Sequence, residues 1–299
     1  LSAQREDGFR DHSDGHMQRG NANFGYRLSP NAETRFYINA NSWRQRLPGE
    51  LTKSMALTSP ESADPAFINQ DQQRNIDSIR LANKTTVQLD TTQVDFGIFT
   101  HQRHVDHPIF RYLDYTVSDY GGFVNATDER SIQGFDNRLT VGLTMLNGSQ
   151  DYEEFTNGNN AQKGALLFAT TDKAENYSLY AENSLYFIPD VAMVTGMQFL
   201  HAVRDRKDRF LSDGNQSGRR TYDLWSPKLG LLWDIDPEWQ VFGNVSRSAE
   251  VPTFDANSFS SPETSNVDAQ TATTYEIGTR GNRSNLTWDL ALYRSEISD

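Results

Sequence analysis

Apolar residues in this chain recur at every second position, and the stretch TTYEIGTRGNRSNLTWDLALYRSEI shows the pattern most clearly. Tyr275, Ile277 and Thr279 take one parity, while Thr274, Glu276, Gly278 and Arg280 take the other. After the polar break GNRSN, Leu286, Trp288, Leu290 and Leu292 alternate with Thr287, Asp289 and Tyr293. A period of two means strands, whose successive side chains point to opposite faces. The result is a hairpin with one greasy face and one face carrying full charges. A soluble sheet buries its greasy face against a partner layer and wets the other. A membrane barrel turns the greasy face to lipid and encloses the charges.

Similar runs fill the chain, and their connections alternate in length. Predicted pairs are 20–28 with 34–43, 76–90 with 93–104, 117–127 with 135–145, 177–187 with 191–203, and 222–233 with 239–246, followed by the 273–297 hairpin. Within each pair the join is tight and rich in Pro, Asp, Asn or Gly, as at SPNAE, IPD and DIDPE. Between pairs lie long polar segments: the 30 or so residues after Trp43, residues 105–116, NGSQDYEEFTNGNNAQKG, RDRKDRFLSDGNQSGRR and RSAEVPTFDANSFSSPETSNVDAQ. Tight turns at one end and long loops at the other describe an up-and-down antiparallel sheet with two unlike rims, as in outer-membrane barrels. A sandwich has shorter, more even connections, and no blade repeat suggests a propeller. The fold expected is all-β: about 12 strands of an antiparallel transmembrane β-barrel, closed because lipid tolerates no open edge.

Composition agrees. No run approaches the 18 apolar residues of a membrane helix, but barrel strands are ~10 residues long and only half apolar. Tyr, Phe and Trp make up 11% of so polar a chain, enough to supply interface belts, with Trp43, Phe187, Trp233, Trp239, Trp288 and Tyr293 near strand ends. The absence of Cys excludes disulfides and thiolate metal sites. A net charge of −12 argues against nucleic acid as a partner. The chain opens on Leu1 and stops in mid-pattern at Asp299, so it is expected to be an interior fragment whose export signal lies elsewhere.

Several stretches resemble TonB-dependent outer-membrane receptors of the ferric-citrate and siderophore type. They are DGFRDHSD (Asp7 to Asp14), the hairpin NANFGYRLSPNAETRFYINANSWRQRLPGELTK, VFGNVSRSAEVPTFD with Arg247 and Pro252, and TYEIGTRG with Tyr275, Glu276, Gly278 and Arg280. The resemblance implies that residues 1–299 form part of one barrel domain, 22-stranded in full. The N-terminal plug, the TonB-contacting segment and the last strands would lie outside the chain. It implies an address in the bacterial outer membrane among lipid and lipopolysaccharide, and a scarce ligand, most often a ferric siderophore or ferric citrate. That iron chelate would be imported as cargo and not held as a cofactor, with energy from the TonB complex. A passive channel, or a receptor for haem, cobalamin or another non-iron ligand, is the alternative. No catalytic motif (G-x-S-x-G, H-E-x-x-H, P-loop or G-x-G-x-x-G) is present, so no enzymatic activity is expected.

The motif residues Glu276 and Arg280 share the charged face, where burial against lipid is avoided. Arg247 and Pro252 end a strand and enter a loop. Candidate ligand contacts are the loop arginines Arg44, Arg46, Arg204, Arg206, Arg209, Arg219 and Arg220. Arginine forks suit the carboxylates of an anionic chelate. Basic residues at the outer rim serve lipopolysaccharide or solvent equally well. His101, His104 and His107 with Asp106 contain metal-ligand types, but spacings of three on a strand put successive histidines on opposite faces, and no metal site is expected. His12 and His16 are treated alike. Asp234, Asp236 and Glu238 in DIDPE are read as turn residues, not calcium ligands.

Overall fold

The structure, a computed structural model, describes residues 1–254 and 267–298. Its described residues form one sheet in which each strand pairs antiparallel with the next in sequence. The strands are β1 (Ser2–Glu6), β2 (Gly15–Ser29), β3 (Ala32–Arg46), β4 (Gln73–Leu89), β5 (Thr92–Pro108), β6 (Arg111–Ile132), β7 (Phe135–Gly158), β8 (Gln162–Ile188), β9 (Val191–Asp208), β10 (Gly218–Asp236), β11 (Trp239–Glu250), β12 (Gln270–Arg283) and β13 (Leu286–Ser298). Two short helices, α1 (Lys53–Thr58) and α2 (Pro65–Asn69), lie between β3 and β4. Among the described residues no helix is long and apolar enough to cross a membrane, which says nothing about strands.

One rim is tight. Asp90, Gln133, Asp190 and Ser284 at its turns adopt positive φ, as two-residue hairpins require. The other rim departs from the sequence expectation. Residues 105–116 and the polar stretch after Asn147 are strand, not loop: β6, β7 and β8 run to 22, 24 and 27 residues, twice what a bilayer requires. Their outer connections shrink to residues 109–110 and 159–161. β1 also was not foreseen. The segment after β3 is a true loop. The Thr52 hydroxyl caps α1 by accepting from the Met55 amide, and Asp64 caps α2 with Pro65 in its first turn. The Arg10 guanidinium donates to the carbonyls of Pro48, Gly49 and Ser62, joining the DGFRDHSD and LPGELT stretches.

Directly paired residues share a face, so the register carries one parity across the sheet. Phe96, Val124, Leu143, Leu179, Phe199 and Trp225 form one such row over six strands. Most of these side chains are exposed, as are Phe24, Ile38, Ile98, Met193, Leu231, Ile277 and Leu292 on the same parity. So extensive an exposed apolar face belongs to a lipid solvent. Trp233, Trp239 and Trp288 edge it near the tight rim, whereas Trp43 and Tyr293 fall on the opposite, inward parity. The inward face holds the charges, and four of its rings lie over glycines of the adjacent strand: Phe123 over Gly97, Phe99 over Gly121, Tyr180 over Gly142 and Phe242 over Gly278. A ring over a bare backbone packs the wall without adding bulk.

Candidate functional site

Above the apolar band, the inward sides of β6–β9 gather charge and rings around a cavity of about 570 Å³. Arg111 donates to Glu154 Oε2 at 2.5 Å, and Tyr152 Oη donates to Glu154 Oε1 at 2.6 Å. Burial, then the Glu154 hydrogen bond, push the Tyr152 phenol up. Its ring lies 5.6 Å from Tyr115 and 6.0 Å, edge-on, from Phe168. Arg206 grips Asp172 through two bonds of 2.7 Å. Both side chains are only 5% exposed. The Arg206 guanidinium also stands 5.7 Å from the Phe254 ring centre, a cation–π distance. The loop after β9 is shaped by Asp208, whose carboxylate accepts from the amides of Phe210 and Gln216, each at 2.8 Å.

Of the seven predicted loop arginines, only Arg206 lines this cavity. Arg204, on the same face, donates to the Pro252 and Val203 carbonyls and to Asn176 Oδ1. It is buried, its acceptors among the described residues are neutral, and burial pulls its pKa down. Arg209 pairs with Glu153 at 3.1 Å and donates to the Thr170 carbonyl. Arg220 pairs with Asp268 beside Tyr222, whose hydroxyl donates to the Val267 carbonyl. Arg44 and Arg219 lie on the outward parity, held by Asp77 (2.6 Å) and Asp205 (3.2 Å). Arg46 bridges Asp14 and Asp71. The arginines therefore occupy both faces and distant sectors, and six of the seven meet a carboxylate. Tyr152 and Glu154 went unnoticed because their stretch reads as a polar loop, and Phe168 and Asp172 because they fall between that stretch and the strand expected from Tyr177.

Glu276 accepts from Asn244 at 2.7 Å, and Arg280 donates to Gln240 at 2.8 Å while covering the Phe242 ring. Tyr275 is outward and half exposed, and Arg247 shares its parity. Gly278 makes room for Phe242, and Pro252 supplies the carbonyl to Arg204. His101 and His107 face inward and His104 outward, near Asp119, the Gln73 carbonyl and Asp114 respectively. His12 meets the Gln72 carbonyl at 3.1 Å. Asp236 Oδ1 accepts from the Glu238 amide, closing the turn, and both acids pair with Arg283. Among the described residues no cluster of His, Cys, Asp or Glu could hold a metal ion.

Exposed apolar wall, enclosed charge, one tight rim and one elaborated rim define an outer-membrane β-barrel. The chain belongs to the TonB dependent receptor-like beta-barrel family, whose sequence model matches residues 2–299. Among solved structures it is similar to the ferric citrate transporter FecA in its unliganded form (16% identity, TM-score 0.79, 95% of this chain and 43% of that one). It is also similar to the siderophore receptor PiuA from Acinetobacter baumannii (12%, 0.75, 97% and 51%) and to the copper transporter OprC (12%, 0.74, 99% and 48%). At such identities the likeness is one of fold. The chain spans about half the length of the structures it matches. Its place is the outer membrane.

Proposed function

We propose that the whole protein is a TonB-dependent receptor that captures a ferric chelate, a siderophore complex or ferric citrate, and imports it actively. The observation that carries this reading is the inward cavity above the apolar band, where Arg111 and Arg206 stand among Tyr152, Phe168 and Phe254. Rings give an organic chelate shell apolar contact, and guanidinium forks bind its carboxylates or hydroxamate oxygens. Both forks are already paired with carboxylates. Such a site favours a chelate with a large organic shell and little net charge over a compact polyanion. Uptake needs no covalent step. The ligand is held at the long rim and released inward when a plug, engaged by the TonB complex, gives way.

The test is uptake of radiolabelled iron by cells expressing the full-length protein, with and without a working TonB complex. Saturable, TonB-dependent uptake of one ferric chelate supports the reading. Uptake indifferent to TonB would make the barrel a passive channel.

A further inference from the structure

The cavity above the apolar band carries more acid than base. Arg111 and Arg206 line it, and so do Glu154, Asp172 and Asp213. Each arginine is held by one of those acids, Arg111 by Glu154 and Arg206 by Asp172. Both forks are neutralised where they stand, and Asp213 is the carboxylate left over. Among the described residues it enters no ion pair and no side-chain hydrogen bond. The next cations along the chain do not offset it. Arg204 is bonded to Pro252, Val203 and Asn176 and Arg209 to Glu153, and neither lines the cavity.

The connection from β9 to β10 places Asp213 there. Its two feet meet on Asp208, which is buried. The Asp208 carboxylate accepts from the Phe210 and Gln216 amides, and its own amide donates to Ser217 Oγ at 2.9 Å. Between the feet, Leu211–Asp213 form a short 3-10 helix, and Gly214 at φ 115° reverses the chain behind it. The cavity is otherwise lined by the rings of Tyr152, Phe168 and Phe254 and by the amides of Gln150 and Gln216. Ring faces attract a cation. Side-chain amides bond neutral carbonyl and hydroxamate oxygens. An unpaired carboxylate attracts positive charge and repels negative. The three features select the same kind of ligand.

We propose that this cavity takes a metal chelate bearing a pendant ammonium group, and that Asp213 receives that group. The proposal rests on the receptor reading above and narrows its ligand class. An anionic chelate must displace Glu154 or Asp172 from its arginine and then lie near Asp213 with like charge, which costs affinity twice. A chelate whose shell is neutral apart from one ammonium meets neither penalty. Its organic body lies on the rings, its carbonyl oxygens meet Gln150 and Gln216, and its cation pairs with the free acid.

The experiment uses the full-length receptor in detergent and isothermal titration calorimetry. The probes are three forms of one linear ferric trihydroxamate: with a free terminal ammonium, N-acetylated to neutrality, and N-succinylated to an anion. The ammonium form should bind about fivefold tighter than the acetylated one, the scale of an ion pair at a partly exposed site, and the succinylated form should bind weakest. Asp213→Asn should bring the ammonium and acetylated forms to the same affinity, and Asp213→Glu should keep the ranking. Asp213 is exposed on a turn, so both variants are expected to fold. Equal affinities for the three forms in the wild type, tightest binding of the succinylated form, or a ranking that survives Asp213→Asn each overturn the proposal. If none of the three binds while another ferric chelate is taken up with TonB dependence, this proposal fails and the receptor reading stands. If the ranking holds but cells take up no iron from the ammonium form, the transport reading fails and the ammonium site stands.

Discussion

Tyr180 Oη donates to Asn125 Oδ1 at 3.0 Å, although their strands, β8 and β6, are not neighbours. The bond crosses β7 at Gly142. A Cβ there would stand 2.5 Å from Asn125 Oδ1 and 2.5 Å from the Tyr180 ring. One missing side chain thus lets a ring and an amide knit three strands of the lumen wall. Gly142→Val should cost about 1–3 kcal/mol of stability through overpacking. Gly243→Ala, where a Cβ meets its nearest atom at 3.6 Å, should cost far less. Urea unfolding in micelles, followed by the heat-modifiable gel shift, compares the two.

The buried pair Arg206–Asp172 should respond non-additively. Asp172→Ala removes the carboxylate that accepts two bonds from a buried guanidinium and should cost roughly 3–5 kcal/mol. The double replacement Arg206→Met with Asp172→Ala should cost less than Asp172→Ala alone. A double-mutant cycle on unfolding free energies checks this, and additivity would contradict the pairing.

Face assignment can be tested by adjacent residues. Leu143 faces lipid and Thr144 the lumen. Leu143→Arg should cost about 2–4 kcal/mol at mid-depth, and Thr144→Arg little. The measurement is folding yield into lipid vesicles. Equal yields would mean that the two faces are misassigned.

His107, above the apolar band, should make the outer ends of β4 and β5 acid-sensitive. Its Nδ1 donates to the Gln73 carbonyl at 2.8 Å and its Nε2 accepts from Arg74, so the ring is held neutral. Burial lowers its pKa, with Arg74 adding to the effect and the Gln73 hydrogen bond and Asp106 opposing it. Protonation therefore favours the opened state. Stability is fully present above about pH 6.5, the unfolded value, and falls as the pH drops from there towards the folded value. Hydrogen exchange at Gln73–Asn75 and Val105–Pro108 should quicken over that window, and His107→Gln should abolish the slope.

The transmembrane part of the fold was legible because lipid on one side and charge on the other write a period of two into each strand. Tyr275, Ile277 and Glu276 fall where their parity placed them. Above the band both faces are wet, and a strand such as NGSQDYEEFTNG loses its signal: Asn147 and Gln150 are both polar although they face opposite ways. The site suffers for the same reason, since Tyr152 and Glu154 lie in that stretch, and Asp172 lies beyond it on β8. Arginine partners were unreadable because they come from elsewhere in the chain, Asp172 reaching Arg206 from 34 residues away. The part of the expected loop at residues 255–266 lies outside the described residues.

The central claim, capture of a metal chelate at the long rim, is tested most directly by titrating the full-length protein in detergent with ferric siderophores, ferric citrate, haem and cobalamin. Intrinsic Trp fluorescence reports binding. The account predicts saturable, sub-micromolar binding of one ferric chelate, weakened about tenfold or more when Tyr152 and Phe168 are replaced by alanine, as loss of aromatic anchors does at binding sites. Binding of no ferric chelate, or binding untouched by those two substitutions, would contradict it.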